Sequence, residues 1–458
     1  MTDSKIKQAI DCTRRSITQD GYGVSPSRAD EFHKYISRIA GEELSIDHHH
    51  HRVTQHTIIQ SVKEIIFELA ARLDDDSNIN LRNEFESLKN EMCKEMLGSG
   101  LTRYTIAFPL NIIGMGEPGD TFHTPDGDVT KISRHEWEKN YEDPARENES
   151  LERFLYRESP NELGPDKFNN NKFTFWEVEY FARDPEYAIY AAQSIIQLFI
   201  SKLNFVHYRR SRAPTQPSGN SPYYQRWSPL RQPFIYIVLD DQNHIRYQIG
   251  DFEYRRRPLR AHEDMSEYEN WLDELPDLNA VNHDGDDNTQ IDNDLINALL
   301  AYQDGLTRSS PQQSFFSFWR GLENLTHVER GQPRQQVSKR AIGLFKLEAT
   351  DHYVPWHQQE KLDELYDKRN DIAHDGPHTR IRESHKIITK RILDVLLQFH
   401  FEHYTEFNKE EMRTLLKICC NSMEDCMSQI DENLRENQLI KYLSFREVVN
   451  KSETLFSD

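Results

Sequence analysis

The 458-residue chain carries 56 Lys and Arg against 76 Asp and Glu, a formal charge of −20. Its 23 Phe, 20 Tyr and 6 Trp supply enough aromatic area for packed cores, which excludes a disordered acidic chain; at about 100–200 residues per domain, roughly two to four domains are expected. No apolar run reaches the ~20 residues of a membrane span, MTDSKIKQAIDCTRR lacks a signal-type apolar core, and Cys12, Cys93, Cys419, Cys420 and Cys426 contain no CxxC pair. The expectation is a soluble cytoplasmic protein with no disulfide scaffold, metal or other cofactor.

Residues 1–97 read as an N-terminal helical region. Ser27-Arg28-Ala29-Asp30-Glu31 starts one helix with Phe32, Tyr35, Ile36 and Ile39 in phase. A longer helix from about Val53 carries Ile58, Val62, Ile65, Ile66, Leu69 and Leu73. Between them Asp47 and His48–His51, with His56 nearby, form either a polar turn or a transition-metal site. No matching ligand spacing recurs elsewhere, which favours the turn.

Residues 98–260 mix patterns, as expected of an α+β regulatory or sensor domain. LTRYTIAFPLNII and KFTFWEVEYFA read as strands, Asp184-Pro185 opens the helix EYAIYAAQSIIQLFISKLNF, and FIYIVLDDQNHIRYQIGDFEY reads as a hairpin turning at Asp240–Asn243. Residues 207–233 form an Arg-rich loop or arm. From Lys202 to Arg260 eleven cations face four acids, whereas Ala261–Thr307 holds thirteen acids and no Lys or Arg. This sign reversal marks 261–287 as an acidic linker. The remaining 288–458 read as a bundle with helices at 289–306, 311–328, 334–348, 356–375, 379–407 and 410–436. The fold class is therefore mainly α: a C-terminal helical bundle preceded by a helical segment and an α+β domain.

Chemistry concentrates in Leu365-Tyr366-Asp367-Lys368-Arg369-Asn370-Asp371-Ile372-Ala373-His374-Asp375-Gly376-Pro377. Arg369 falls on the stripe set by Leu362, Leu365, Tyr366 and Ile372/Ala373, where a guanidinium needs a partner. In Ser314–Leu325, Glu323 is i+4 from Trp319 and i+7 from Phe316, so it is expected to meet Arg369 across two packed helices. Asn370 and His374 are i,i+4 neighbours, and Gly376-Pro377 places His374 in the last turn, where the helix dipole favours imidazolium. An Arg, an amide and a titratable His at one helix end can bind a phosphodiester and move its protons. No Walker A, GxGxxG, nucleophile elbow or HExxH motif is present.

RNDIAH followed by Asp-Gly, with FFSFWRGLENL about fifty residues upstream, resembles the HEPN superfamily, specifically its Apea-like branch, over 286–450. Phe173–Phe205 is similar, more loosely, to the front domain often joined to such modules. The resemblance implies a HEPN helical bundle acting as a metal-independent endoribonuclease, in a homodimer or higher even oligomer. It implies Arg369 on the scissile phosphate, His374 as general acid/base for attack by the ribose 2′-hydroxyl, and Asn370 orienting substrate or His374. Products would carry 2′,3′-cyclic phosphate and 5′-hydroxyl ends. Such proteins serve in antiviral defence or as growth-arresting toxins that cut cellular or phage RNA, tRNA included. Some HEPN toxins carry a Tyr two residues after the His, a target for a nucleotidyltransferase antitoxin; Gly376 stands there, so that silencing is not expected.

Glu323 is expected to support the site rather than react. Arg209, Arg210 and Arg212, with Tyr223, Tyr224 and Trp227, suit phosphate contact plus base stacking, and Arg380, Arg382, Lys386, Lys390 and Arg391 could line an RNA cleft. The region before the bundle is expected to bind a phage or host trigger or inhibitor. The alternative is a non-catalytic HEPN module for dimerisation and for binding RNA or a partner; an acidic nucleic-acid mimic leaves the Arg-rich block unexplained.

Overall fold

The structure, a computed structural model, describes residues 3–14, 17–18, 21–22, 29–44, 47–75, 80–98, 100–144, 173–209, 227–228, 230–249, 259–260, 270, 272, 274–276, 278, 287–328, 335–348, 359–375, 379–418, 427–428 and 431. It is mainly helical with a small sheet. One compact unit comprises Met1–Ile106, Glu179–Ala192 and Ile237–Tyr247; the other comprises Ala107–Val178, Gln193–Tyr236 and Gln248–Asp458.

The first unit opens with α1 (Asp3–Arg14), the short strands β1 (Ile17–Thr18) and β2 (Gly21–Tyr22), and α2 (Ala29–Ile39). A four-residue helix α3 (His48–His51), α4 (Gln55–Asp75) and α5 (Leu81–Gly98) follow. Their apolar phases converge as the periodicity requires: Phe32, Ile36 and Ile39 of α2 pack with Ile58, Val62, Ile65, Ile66 and Leu69 of α4, joined by Ile6 and Ile10 of α1. Leu73 lies outside the residues whose side chains are described. Phe67 stacks on Phe32 at 5.8 Å.

The strands are β3 (Thr102–Leu110), β4 (Ile112–Ile113), β5 (Thr121–Thr124), β6 (Gly127–Ile132), β7 (Thr174–Ala182), β8 (Ile235–Leu239), β9 (Ile245–Ile249) and β10 (Leu259–Arg260). Six of them form one sheet in the order β5-β6-β7-β3-β8-β9. The β5–β6 pair is antiparallel with Thr121 opposite Thr130, and β6 runs antiparallel to β7 with Val129 opposite Val178. The turn between β8 and β9 falls where Asp240–Asn243 predict it: Asp240 Oδ1 accepts the backbone N–H groups of Gln242 and His244, and Asn243 takes φ 60°. After β6 comes the short helix α6 (Arg134–Trp137), closed by a Ser133–Glu136 capping box.

Helix α7 (Pro185–Tyr208) begins at Asp184, whose Oδ1 accepts the Tyr187 N–H at 2.6 Å. By length and mean hydropathy this helix could cross a membrane, but 72% of its apolar window is buried, as in a core helix. Gln193, Ser194, Gln197 and Lys202 interrupt it as a contiguous run.

The C-terminal helices are α8 (Asp287–Thr307), α9 (Pro311–Leu325), α10 (Gln335–Glu348), α11 (Gln359–Asp375), α12 (Glu383–Glu402) and α13 (Lys409–Ile418). Helix α9 packs against α8 and α12, and α10 against α11 and α12. Ser310 caps α9 with Pro311 at its first turn. The helix stops earlier than the apolar pattern suggests because His327 takes φ 46°. Two glycines set helix approach: a Cβ on Gly305 would lie 2.3 Å from Phe318, and one on Gly321 would lie 2.6 Å from Leu393. Within 261–287, Leu272, Leu275 and Leu278 are buried and the Pro276 carbonyl accepts from Lys202 Nζ at 3.1 Å.

Candidate active site

Helix α11 turns Leu362 and Leu365 into the core, and Tyr366, Arg369 and Asn370 sit half-buried one turn further on. The apolar stripe ends there: Ile372 is half-buried and Ala373 and His374 are exposed. Facing this turn, α9 presents Phe316, Trp319 and Glu323 at helical spacing. Arg369 Nη2 lies 2.9 Å from Glu323 Oε1 and 3.3 Å from Oε2, so the expected pairing is present. Glu323 Oε1 also accepts the Trp319 indole N–H at 3.2 Å. Arg369 Nη1 donates to Asn370 Oδ1 at 3.4 Å, and its guanidinium carbon stands 5.6 Å from the Phe316 ring.

The guanidinium is thus held by a carboxylate on one side, an amide on another and a ring nearby. Its buried Nε makes no hydrogen bond among the described residues, and neither does the buried Tyr366 hydroxyl. Among the described residues these are two buried donors without a hydrogen-bond partner. His374 closes the helix on the exposed side, in the last turn.

The described residues at either end of the Arg-rich segment, Tyr208 and Trp227, both bond to α12. At the end of α7 the Tyr208 carbonyl accepts from Lys390 Nζ at 2.7 Å, and the Arg209 N–H caps back to Phe205. At the other end, Trp227 Nε1 donates to Glu383 Oε1 at 2.5 Å, while the N–H groups of Trp227 and Ser228 share the Leu306 carbonyl. Glu383 starts the helix that follows the candidate active helix, and Gln312 Nε2 ties the Thr379 carbonyl of that connection to α9 at 3.3 Å. Arg209 is half-buried, and Arg380 and Arg382 are exposed. Arg210, Arg212, Tyr223 and Tyr224 lie outside the described residues.

Three residues expected on an RNA-facing surface are placed elsewhere. Trp227 is buried against Phe318 at 5.7 Å, so its ring is not available for base stacking. Lys386 is buried, its ammonium 4.4 Å from the Trp227 ring and 3.4 Å from Glu383, and burial draws its pKa down. Lys390 is buried against Asp394 at 2.7 Å. Both lysines lie on the core face of α12, among Ile388, Ile392 and Leu393, which the alternation of charges along the sequence conceals.

Two buried polar clusters went unread in the sequence. Lys390 and Asp394 flank the Tyr302 ring, and burial raises the Asp394 carboxyl to about 6 against the pull of Lys390. Asp294, His327 and His400 form the second: His327 Nδ1 is 3.0 Å from Asp294, and His327 Nε2 is 3.3 Å from His400 Nε2. Burial pushes His400 down to about 3. Lys390 and Asp394 are i,i+4 neighbours, but Tyr302, and the three members of the second cluster, come together from positions far apart in sequence. The β5–β6 hairpin was also unread, although Thr124-Pro125-Asp126-Gly127 carries the turn residues that mark it.

Among the described residues no group of three or more His, Cys, Asp or Glu is placed to hold a metal ion. His48–His51 form the short helix α3, with Asp47 Oδ1 accepting the N–H groups of His49 and His50. Comparison with known proteins finds no family model, no curated protein and no solved structure that matches the chain.

Proposed function

We propose that the chain is a HEPN-type endoribonuclease whose reaction is carried by α11. What supports this reading is Arg369, half-buried between Glu323 and Asn370, with His374 exposed at the end of the same helix. A phosphodiester placed at the Arg369 edge has its negative charge met by the guanidinium. His374 takes the proton of the 2′-hydroxyl as that oxygen attacks phosphorus, and the 5′-oxygen leaves with a proton from the acid form of histidine. Arg369 and His374 stand ~140° apart around one helix at 100° per residue, so a cleft at a two-fold axis between copies supplies the composite site. The substrate is cellular or phage RNA, with tRNA as the first class to test.

The second reading is a non-catalytic module for dimerisation and RNA or partner binding. The Arg369–Glu323 ion pair favours it, because the same geometry serves as a structural tie between α9 and α11. Wild type and His374→Ala, incubated with total RNA and tRNA in excess EDTA, separate the two. Cleavage by wild type only, leaving cyclic-phosphate and 5′-hydroxyl ends, supports the ribonuclease. Silence from wild type in buffer and in phage-infected lysate supports the module.

A further inference from the structure

The first unit holds a cluster of rings that the site in α11 does not use. His49, Tyr187 and Tyr190 form a closed triangle with centroid separations of 6.2, 6.3 and 6.1 Å, and Tyr180 extends it to Tyr187 at 6.3 Å. Tyr187 is buried at the base of the cluster, its hydroxyl 3.3 Å from His49 Nδ1, whereas Tyr190 is 54% exposed. The phenol at the surface is therefore braced from below and needs little ordering to receive a ligand.

Two arginines contact neighbours of this ring, Tyr180 and Glu186. The Arg52 guanidinium stands 5.3 Å from the Tyr180 centroid. Arg52 has φ 53°, held by hydrogen bonds from the Arg183 N–H to its carbonyl and from its Nη1 to the Phe181 carbonyl, so its conformation is fixed at a backbone cost. On α7, Glu186 shares a face with Tyr190 at i,i+4, and Arg246 sits 3.9 Å from Glu186 with both side chains more than half exposed. An ion pair that long and that exposed releases its cation at little cost. Of the other nearby carboxylates, Asp47 accepts from the backbone of His49 and His50, and Asp184 accepts from that of Thr54 and Tyr187.

We propose that this surface binds single-stranded RNA, with one base stacked on Tyr190 and the adjoining phosphates on Arg52 and Arg246. Tyr190 and Phe181, 54% and 47% exposed, with Arg52 on the Phe181 carbonyl and Arg246 beside Glu186, match the pairing of stacking rings and backbone cations that single strands use. The proposal rests on the ribonuclease reading for its choice of nucleic acid, and gives the unit before the bundle a role in holding substrate.

The test uses full-length protein and a fluorescent 2′-O-methyl RNA of about twelve nucleotides, single-stranded or in duplex, which cannot be cut through its own 2′-oxygen. Tyr190→Ala is expected to weaken single-strand binding roughly tenfold and leave the duplex unchanged, while Tyr190→Phe binds as wild type. An unchanged single-strand Kd for Tyr190→Ala, an equal loss on both probes, or no binding by wild type overturns the proposal. RNA cleavage is measured separately on the same preparations. Binding that depends on Tyr190 without cleavage keeps the platform and removes the ribonuclease, and cleavage with Tyr190-independent binding does the reverse.

Discussion

Glu323 and Arg369, forty-six positions apart, meet at 2.9 Å, and the carboxylate oxygen nearest the guanidinium also takes the Trp319 indole N–H at 3.2 Å. The carboxylate is therefore pinned from its own helix before it reaches across to α11. Arg369 is aimed by a group that is itself aimed, which on the ribonuclease reading would orient it for a phosphate.

The pair contributes modestly to stability because its side chains keep 22% and 30% exposure. A double-mutant cycle of Glu323→Ala and Arg369→Ala, followed by urea denaturation, is expected to give a coupling of about 1 kcal/mol. Arg369→Lys keeps the charge but cannot reach Glu323 and Asn370 at once as Nη2 and Nη1 do, and on the ribonuclease reading it loses most cleavage. His374→Ala, at an exposed position, is expected to lose cleavage while its urea midpoint stays within error of wild type. A large fall in that midpoint would assign His374 to folding instead.

Gly321 lies in the RGLENL stretch because α12 passes over it. A methyl there meets Leu393 Cδ2 at 2.6 Å, inside contact distance, and both residues are buried. Gly321→Ala is expected to destabilise the protein by about 1–3 kcal/mol despite the better helix propensity of alanine. Gly41→Ala, with open space around it, serves as the control and is expected to shift the urea midpoint little.

Periodicity made the helices legible where one face is buried: Phe32, Ile36 and Ile39, then Ile58 to Leu69, lie as their spacing requires. The Arg369–Glu323 contact was legible for the same reason, since a charge on an apolar stripe must find its opposite on a facing stripe. Lys386 and Lys390 defeated that logic. They alternate with Arg380, Arg382 and Arg391 as a surface run would, yet their stems follow the core face of α12 and their ammonium groups end on Trp227 and Asp394. The fold supplies Trp227 from 159 positions away, whereas Asp394 is the i+4 neighbour of Lys390, which burial turns to the core with it.

Burial of Lys386 has a direct consequence for nucleic-acid binding. Lys386→Met keeps the stem and removes an ammonium that never reaches solvent, so RNA affinity and its salt dependence are expected to match wild type. Arg382→Ala removes an exposed cation beside the start of α12 and is expected to weaken RNA binding and reduce the salt slope by about one. Filter binding at several salt concentrations distinguishes the two; a reduced slope for Lys386→Met would mean that Lys386 reaches phosphate.

His400 and Asp394 give the bundle opposed responses to acid. His400, 1% exposed, donates from Nδ1 to the Leu396 carbonyl at 2.8 Å and is held down to about 3, below its ordinary 6.5. Unfolded chains therefore take up a proton that the folded state refuses, and stability present above pH 6.5 is lost as pH falls toward 3. Asp394, raised to about 6 from 3.8, acts the other way: the folded state takes its proton first, so stability is gained as pH falls from 6 to 3.8. Between pH 6 and 4 the two nearly cancel in the wild type. His400→Asn keeps an N–H for Leu396 but cannot titrate, leaving the Asp394 response unopposed. The stability gap between wild type and His400→Asn, read from urea midpoints at pH 7, 6, 5 and 4, is expected to shift in favour of the variant by about 1.4 kcal/mol per pH unit below pH 6.5. A gap that does not vary with pH would show that His400 is not held neutral in the folded bundle.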